Sequence, residues 1–354
     1  MKAVVVICGG RSAEHEVSIM SAKTVVTELA RKGFPVQLVG IDLRGRTMTP
    51  EELTNHFPDL PKGVEVPSCV SWITHLCDLS PESTVIFPVL HGPYGEDGTI
   101  QGFFELLRIP YVGSGVGASA VGMNKIYTKR LLISEGIPVL PFTTLNQKNW
   151  EQNRAEHLER IETTLPSPWF VKPSSMGSSI GITRVDEATD LPAAIDTAFK
   201  YDEFVIVEKG IEAREIEVSV LGNLEPRVSV PGEIVPGDRF YSYQAKYLDR
   251  GSRLLVPAPL SEKQVEKVQS LALRCFRCLQ LEGMARVDFL MDRNSEEIWV
   301  NEPNTIPGFT QISMYPRLWE ASGLACGELL EQLIELADER SQRRQRLSVQ
   351  VEYR

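Results

Sequence analysis

Residues 2–8, Lys2-Ala3-Val4-Val5-Val6-Ile7-Cys8, form an apolar run that stops at Gly9-Gly10. The run is too short and too abruptly closed by glycine for a secretory leader, and it reads as a buried first strand. A helical stretch follows, with Val17, Met20, Ala22, Val25, Val26 and Leu29 near helical spacing. Strands are expected at 35–41 and 83–90, the second ending at His91-Gly92, then a helix at 98–107 and a short strand at 109–112. This alternation predicts a parallel α/β layer. Residues 44–82, rich in Pro and polar side chains, carry no legible pattern.

From about residue 122 the rhythm changes. Helices at 124–135, 150–163 and 187–200 alternate with strands at 138–144, 168–172 and 203–208, which suggests a small α+β unit. Strands follow at 214–221, 226–234 and 253–256, then a helix at 262–281, strands at 284–291 and 296–302, and helices near 314–322 and 326–340. A chain of 354 residues fits two or three domains. The expected units are 1–121, 122–210 and 211–354. Arg340, Arg343, Arg344 and Arg346 read as a solvated helix end.

The formal net charge of −10 argues against a nucleic-acid partner. An anionic ligand would need locally placed Lys, Arg or metal. No stretch approaches a membrane span. The six cysteines, Cys8, Cys69, Cys77, Cys275, Cys278 and Cys326, are expected as reduced thiols. The C-x-x-C at Cys275 has no second pair and falls within a helix, so it reads as structural.

Chemistry concentrates in three places. In Met284-Ala285-Arg286-Val287-Asp288-Phe289, Arg286 and Asp288 share one strand face. A hairpin centred on Ser295 sets Asp288 opposite Glu302 and Arg286 opposite Asn304. Two such carboxylates repel unless a cation lies between them, and an Asp/Glu/Asn oxygen set suits Mg²⁺ together with phosphate. The alternative is a surface strand pair with ordinary charges, which Pro303 and the shaped Thr305-Ile306-Pro307-Gly308-Phe309-Thr310 segment disfavour. Second, Lys172 ends a strand before a Ser/Gly loop running to Gly181, whose small residues let backbone N–H groups approach phosphate. It lacks the Gly-Lys-Ser/Thr ending of a Walker A loop. Third, His91 to Gly102 and Gly9 to His15 each follow a strand, where open α/β sheets bind ligands. Ser12 and Asp97 could equally be helix N-caps.

In order, these segments resemble the D-alanine–D-alanine ligase family of ATP-grasp enzymes. The resemblance rests on Gly9 to Ser18, His91 to Gly102, Met123-Asn124-Lys125, Phe170 to Gly181, Glu208, Arg214 to Val218, Gly232-Glu233-Ile234, Ala245-Lys246-Tyr247 and Ala285 to Trp319. It implies a three-domain ATP-grasp fold, α/β and α+β, with a Rossmann-like parallel N-terminal domain. ATP would lie between the second and third domains, under a lid loop near 235–252. The implied reaction phosphorylates one D-alanine carboxylate and then joins a second D-alanine to it, for peptidoglycan, in a cytoplasmic homodimer.

By the same resemblance, Lys125 and Lys172 contact the α- and β-phosphates, with Ser178 and Ser179 also at the nucleotide. Glu208, Lys209 and Ile211 face adenine, Glu215 the ribose and Lys246 the γ-phosphate. Asp288, Glu302 and Asn304 hold two Mg²⁺ (or Mn²⁺). Glu14 binds the first ammonium, and Arg286 and the Gly308 N–H stabilise an oxyanion. His91, Ser313 and Met314 contact substrate, and Glu14, Ser178 and Tyr247 form a triad. Three positions depart from common family patterns: Ser242 in the lid, Gly210 beside the adenine wall, and Pro303 between two metal ligands. Competing readings are a D-lactate or D-Ser ligase, an ATP-grasp ligase for another acid, and a non-catalytic nucleotide-binding regulator.

Overall fold

The computed structural model describes residues 2–235 and 253–348. The first sheet is parallel, in the order β3-β2-β1-β4. Its strands are β1 (Ala3–Gly9), β2 (Val36–Ile41), β3 (Val64–Glu65) and β4 (Thr84–Val89). The apolar run from Val4 to Cys8 is wholly inaccessible, because both of its faces are used. Val4, Val6 and Cys8 enter one core, while Val5 and Ile7 enter another on the opposite side. Helix α1 (His15–Arg31) buries Val17, Ala22, Val25, Val26 and Leu29, as the spacing implies. Met20 is instead exposed, and Ile19 takes the inward place.

The expected strand at 109–112 is reduced to one parallel bridge, Ile86 with Tyr111. Pro110 has no N–H to extend the ladder, and Gly113 turns the chain away at φ 100°. Residues 44–82 contain β3 and two short helices, α2 (Pro50–His56) and α3 (Trp72–Cys77). Helix α2 begins with a full capping box between Thr49 and Glu52, with Pro50 in the first turn. After α4 (Thr99–Leu107), α5 (Val116–Met123) and α6 (Lys125–Ser134) lead out of this layer.

The second sheet is antiparallel, in the order β5-β8-β6-β7. It comprises β5 (Phe142–Asn146), β6 (Trp169–Pro173), β7 (Thr183–Val185) and β8 (Phe204–Lys209). Strand β5 starts later than expected because residues 138–141 serve as a connector. The carbonyl of Pro138 accepts from Val300, and that of Pro141 from Lys209. With α7 (Gln147–Gln152), α8 (Arg154–Thr164) and α9 (Leu191–Ala198), this sheet closes a core of its own around Trp150, Ile161, Trp169 and Ile195.

The third sheet runs β12-β11-β9-β13-β14, with β10 also on β9. These are β9 (Ala213–Gly222), β10 (Arg227–Val228), β11 (Gly232–Val235), β12 (Arg253–Leu255), β13 (Gly283–Asp292) and β14 (Ile298–Asn304). Pro231 separates β10 from β11, which the sequence merged into one strand. Helix α10 (Glu262–Cys278) covers one face with Val268, Leu271, Ala272, Cys275 and Phe276, and Leu132 and Ile137 join that core. Cys275 is therefore a core side chain, and all six cysteines are free.

Helices α11 (Met314–Ala321) and α12 (Cys326–Gln345) pack Tyr315, Trp319, Leu329, Leu330 and Leu333 into the same core as β1 and α1. The first and third layers thus share one interior. The basic end of α12 is part of this junction, not a solvated tail. Arg340 is buried and donates to the carbonyls of Gly113 and Tyr111, with its guanidinium 4.0 Å from the Tyr111 ring centre. Arg343 pairs with Glu282 and Arg344 with Glu105. Pro110 and Gly113 keep this short segment out of the sheet, leaving carbonyls for Arg340 to satisfy.

Replacing Arg340 by Met should strand two buried acceptors and lower stability by about 2–4 kcal/mol, read from a denaturant midpoint. Exposed Arg346→Met is the control, expected within roughly 0.5 kcal/mol of wild type. Equal midpoints for the two variants would remove the junction role.

Candidate active site

The hairpin pairs Arg286 with Asn304, Val287 with Pro303 and Asp288 with Glu302, the register counted from Ser295. Nearer the turn the register shifts by one, with Phe289 opposite Val300, so Asn301 is the extra residue of a bulge. The bulge inverts the alternation along β14. Ile298, Val300 and Pro303 are buried, whereas Asn301, Glu302 and Asn304 are half-open. Without it, Glu302 and Asn304 would point into the core. Strand β14 is an edge, so Pro303 costs no ladder hydrogen bond.

Asp288 also pairs with Glu217 of β9 on its other side. Glu217, Asp288 and Glu302 therefore stand in one row across three strands. Arg286 forks onto Asp288 with two bonds of 2.7 Å and lies 3.0 Å from Glu217. Lys125 Nζ is 3.1 Å from Glu302, and the Asn304 amide donates to Asp288 at 2.9 Å. Cations hold the row together, as like charges at such spacing require.

Facing the row is Glu14, at the start of α1. Its carboxylate accepts from the Ser178 hydroxyl, while Oε2 is buried without a partner among the described residues. Two glycines make room for it. A Cβ on Gly92 would come within 2.6 Å of that oxygen, and one on Gly177 within 2.8 Å. Ser178 and Ser179 both have positive φ, an uncommon strain for non-glycine residues that is often kept at functional loops. Ser12 accepts from the Glu14 N–H, and Asp97 from the N–H groups of Tyr94 and Thr99. They brace the helix starts, although the N-cap positions are Glu14 and Gly98.

The loop after β14 is pinned from the first layer. His91 Nδ1 lies 2.9 Å from the Ile306 carbonyl, and Nε2 lies 3.2 Å from Ser21 Oγ. Burial lowers the His91 pKa, so the neutral ring donates to Ile306 and accepts from Ser21. Ser21 in turn accepts from the Phe309 N–H. Glu96 accepts from the N–H groups of Gly92 and Ile306, at 2.7 and 3.0 Å. Burial, and then the charge of Glu14, push the Glu96 carboxyl up to about 8. Thr310 N–H donates to Ser313. Among the described residues, the Gly308 N–H is left with no partner, whereas those of Ile306, Phe309 and Thr310 are engaged.

On the opposite wall Lys172 Nζ lies 2.6 Å from Glu208 Oε2, and Lys129 Nζ lies 2.9 Å from Oε1. Burial alone would raise the Glu208 carboxyl, but Lys129 and Lys172 bring it down to about 2. The two walls enclose a cavity of about 990 Å³, within the range that takes a nucleotide.

Every sequence-derived site residue that falls within the described chain lines this cavity: Glu14, His91, Lys125, Lys172, Ser178, Ser179, Glu208, Lys209, Ile211, Glu215, Arg286, Asp288, Glu302, Asn304, Gly308, Ser313 and Met314. Lys246, Tyr247 and Ser242, with most of the expected lid, lie outside the described residues. Met314 packs its side chain against Ile234 and Leu318, and its backbone opens α11 at the cavity. Sequence reasoning passed over Glu217, Glu96 and Lys129. The alternation Glu215-x-Glu217 could have revealed the first of these. Lys129, one turn after Lys125 on α6, had that spacing as its only signal.

Comparison with known proteins agrees along nearly the whole chain. Residues 3–114 match the family model described as D-ala D-ala ligase N-terminus, and residues 131–335 match D-ala D-ala ligase C-terminus. A D-alanine--D-alanine ligase of Heliobacterium modesticaldum is 48% identical over 352 residues, 97% of this chain and 96% of its own. One of Enterococcus hirae is 42% identical, covering 97% of this chain and 98% of its own. Among solved structures, the D-alanine-D-alanine ligase from Coxiella burnetii superposes with a TM-score of 0.79 at 38% identity, covering 97% of this chain and 96% of its own. VanG D-Ala:D-Ser ligase from Enterococcus faecalis gives 0.79 at 34%, covering 95% and 99%. With its fold, its converging cavity residues and these relatives, the chain belongs to the D-alanine–D-alanine ligase family.

Proposed function

We propose that this protein joins two D-alanine molecules in two ATP-driven steps, and that the cavity residues named above carry them out. One observation favours catalysis over nucleotide binding alone. Gly308, whose N–H has no partner among the described residues, and Arg286 both line the cavity, where a developing oxyanion could use their N–H groups. A regulator that only binds nucleotide needs no such pair. Removing one oxyanion donor typically costs roughly 3–4 kcal/mol of transition-state stabilisation.

In this reading Lys125 and Lys172 take the α- and β-phosphates, beside the Ser178-Ser179 loop. Lys246, outside the described residues, takes the γ-phosphate. Glu208, Lys209 and Ile211 face adenine, and Glu215 faces the ribose. Glu14 holds the ammonium of the first D-alanine against its unpartnered oxygen, with His91 fixing the adjoining loop. The carboxylate of that D-alanine attacks the γ-phosphoryl group, and ADP leaves. The amine of the second D-alanine then attacks the acyl phosphate carbonyl and expels phosphate. Ser313 and the Met314 N–H, at the start of α11, suit the second carboxylate. Arg286 and Gly308 bind the oxygen that gains charge.

Asp288, Glu302 and Asn304 are the residues that would hold two Mg²⁺ or Mn²⁺. The donor set fits, since all three offer oxygen and their carboxylates already attract cations. Asp288, Glu302 and Asn304 would leave coordination places for phosphate oxygens and water to fill. The ions would neutralise charge on the phosphates. We also place the protein in the cytoplasm as a homodimer, which sedimentation at twice the chain mass would support.

Asp288→Asn should lower D-alanine-dependent phosphate release by about 100-fold or more, with circular dichroism unchanged. Turnover near wild type at ordinary Mg²⁺ would refute the metal assignment.

Acceptor choice has a second reading, because VanG D-Ala:D-Ser ligase is a structural relative. Glu14 and Ser178 make a polar, anionic wall that suits an incoming ammonium and offers no cation to favour a hydroxy acid, whose only charge is its carboxylate. Tyr247, also outside the described residues, would extend that wall. With D-alanine, D-serine and D-lactate in competition at neutral pH, the expected main product is D-Ala-D-Ala. Mainly D-Ala-D-Ser would favour the second reading, and mainly D-Ala-D-lactate would reject the amine preference.

A further inference from the structure

Glu208 binds two ammonium groups, one on each oxygen, and the two are not alike. Lys172 lines the cavity, whereas Lys129 does not. Lys129 is 1% exposed, beneath the nucleotide wall, with its Nζ 5.9 Å from the Phe142 ring centre and 2.9 Å from Glu208. Glu208 is equally buried, at 1%. One cation can therefore leave for a ligand, and the other cannot.

Resting on the nucleotide reading above, we propose that Lys129 is a positioning residue for ATP. It is the fixed counterion that holds Glu208 ionised and in place when Lys172 leaves that carboxylate for the phosphates. The need for it follows from charge. Phosphate and Glu208 compete for the single charge of Lys172, which now lies 2.6 Å from the carboxylate. If it left Glu208 alone, a carboxylate buried to 99% would lose its compensation, which the interior penalises heavily. Lys129 removes that penalty. The contrast with the facing wall is instructive. Lys125 rests on Glu302 at 3.1 Å and must also release it for phosphate. There the incoming metal can replace the lost cation. No metal is expected at Glu208, so the replacement has to be resident. Burial lowers the Lys129 pKa and Glu208 opposes it, as expected of a pair in which each partner keeps the other charged.

The test compares ADP with adenosine, titrated calorimetrically with Mg²⁺ present. Their affinity ratio reports recruitment of lysine by phosphate, because adenosine has no phosphate to recruit it. In Lys129→Met, Lys172 becomes the sole counterion of Glu208. The ratio should fall by roughly tenfold or more, with adenosine affinity changing less. In a Glu208→Gln background nothing holds Lys172 back, and adding Lys129→Met should change the ratio by no more than about twofold. Equal weakening of ADP and adenosine by Lys129→Met would reduce Lys129 to a structural residue and overturn the proposal. So would a tenfold loss that persists beside Glu208→Gln, since it would mark a direct pull on phosphate. If the single variant does not fold, Lys129→Gln, which keeps a polar group beside Glu208 but no charge, is titrated in its place and read by the same ratio. Wild type that bound no ADP would overturn the nucleotide reading itself, a result distinct from an unchanged ratio.

Discussion

Like charges in one row are the constraint around which the site is built. Glu217, Asp288 and Glu302 occupy adjacent places on β9, β13 and β14. Such a row would force the strands apart or take up protons unless cations lay over it. Arg286 and Lys125 supply them from within the chain. Both groups are also suited to phosphate and oxyanion, so the charges that stabilise the sheet are the charges the reaction would use. In the function proposed above, nucleotide and metal would exchange partners within a neutralised network, without creating buried charge anew.

The polypeptide sets up this row with one irregularity. A strictly alternating β14 would send Glu302 and Asn304 into the core beside Val300. The bulge at Asn301 turns them back to the cavity. Counting outward from Ser295 gave the right pairs at Asp288 and Arg286 although it took no account of a bulge. The turn lies half a residue from the assumed centre, and the extra residue restores the count. The pairing of Asp288 with Glu302 and of Arg286 with Asn304 was thus legible in the residue types and their distance from the turn. The device that makes the register work was not.

Legibility elsewhere followed the same division. The unbroken apolar run of β1, packed on both faces, and the spacing of apolar residues in α10 and β13 were plain in the sequence. Features set by proline or by distant partners were not. Pro110, Pro138 and Pro231 each shortened or divided an expected strand by withholding an N–H. The Thr49-x-x-Glu52 box was present in a segment taken to be patternless. Arg340 resembles any other arginine of a basic tail, and only folding brings it to the carbonyls of Tyr111 and Gly113. Lys129 was hidden for the same reason, since its partner lies far along the chain on β8. The motif residues drawn from family resemblance line one cavity where they are described, but their support from outside the cavity was invisible in the sequence.

That support divides the site into two mechanical parts. Glu14, His91 and the Gly308 loop belong to elements that share a single core, because α11 and α12 pack against α1 and β1. Ser21 and Glu96 cross from the first layer to hold the loop after β14 by its N–H groups. The proposed ammonium site and oxyanion site are therefore fixed relative to each other, as acyl transfer between two small molecules demands. Lys172, Ser178 and Glu208 stand on the second sheet, which closes around its own core. Among the described residues, Ser178 with Glu14 and Lys125 with Met176 are polar links from that sheet's Ser/Gly loop to the rest of the site. In the proposed reaction, precision would be concentrated where bonds to carbon form, and the wall of Lys172 and Glu208 would reach that centre through a few polar contacts at a strained loop.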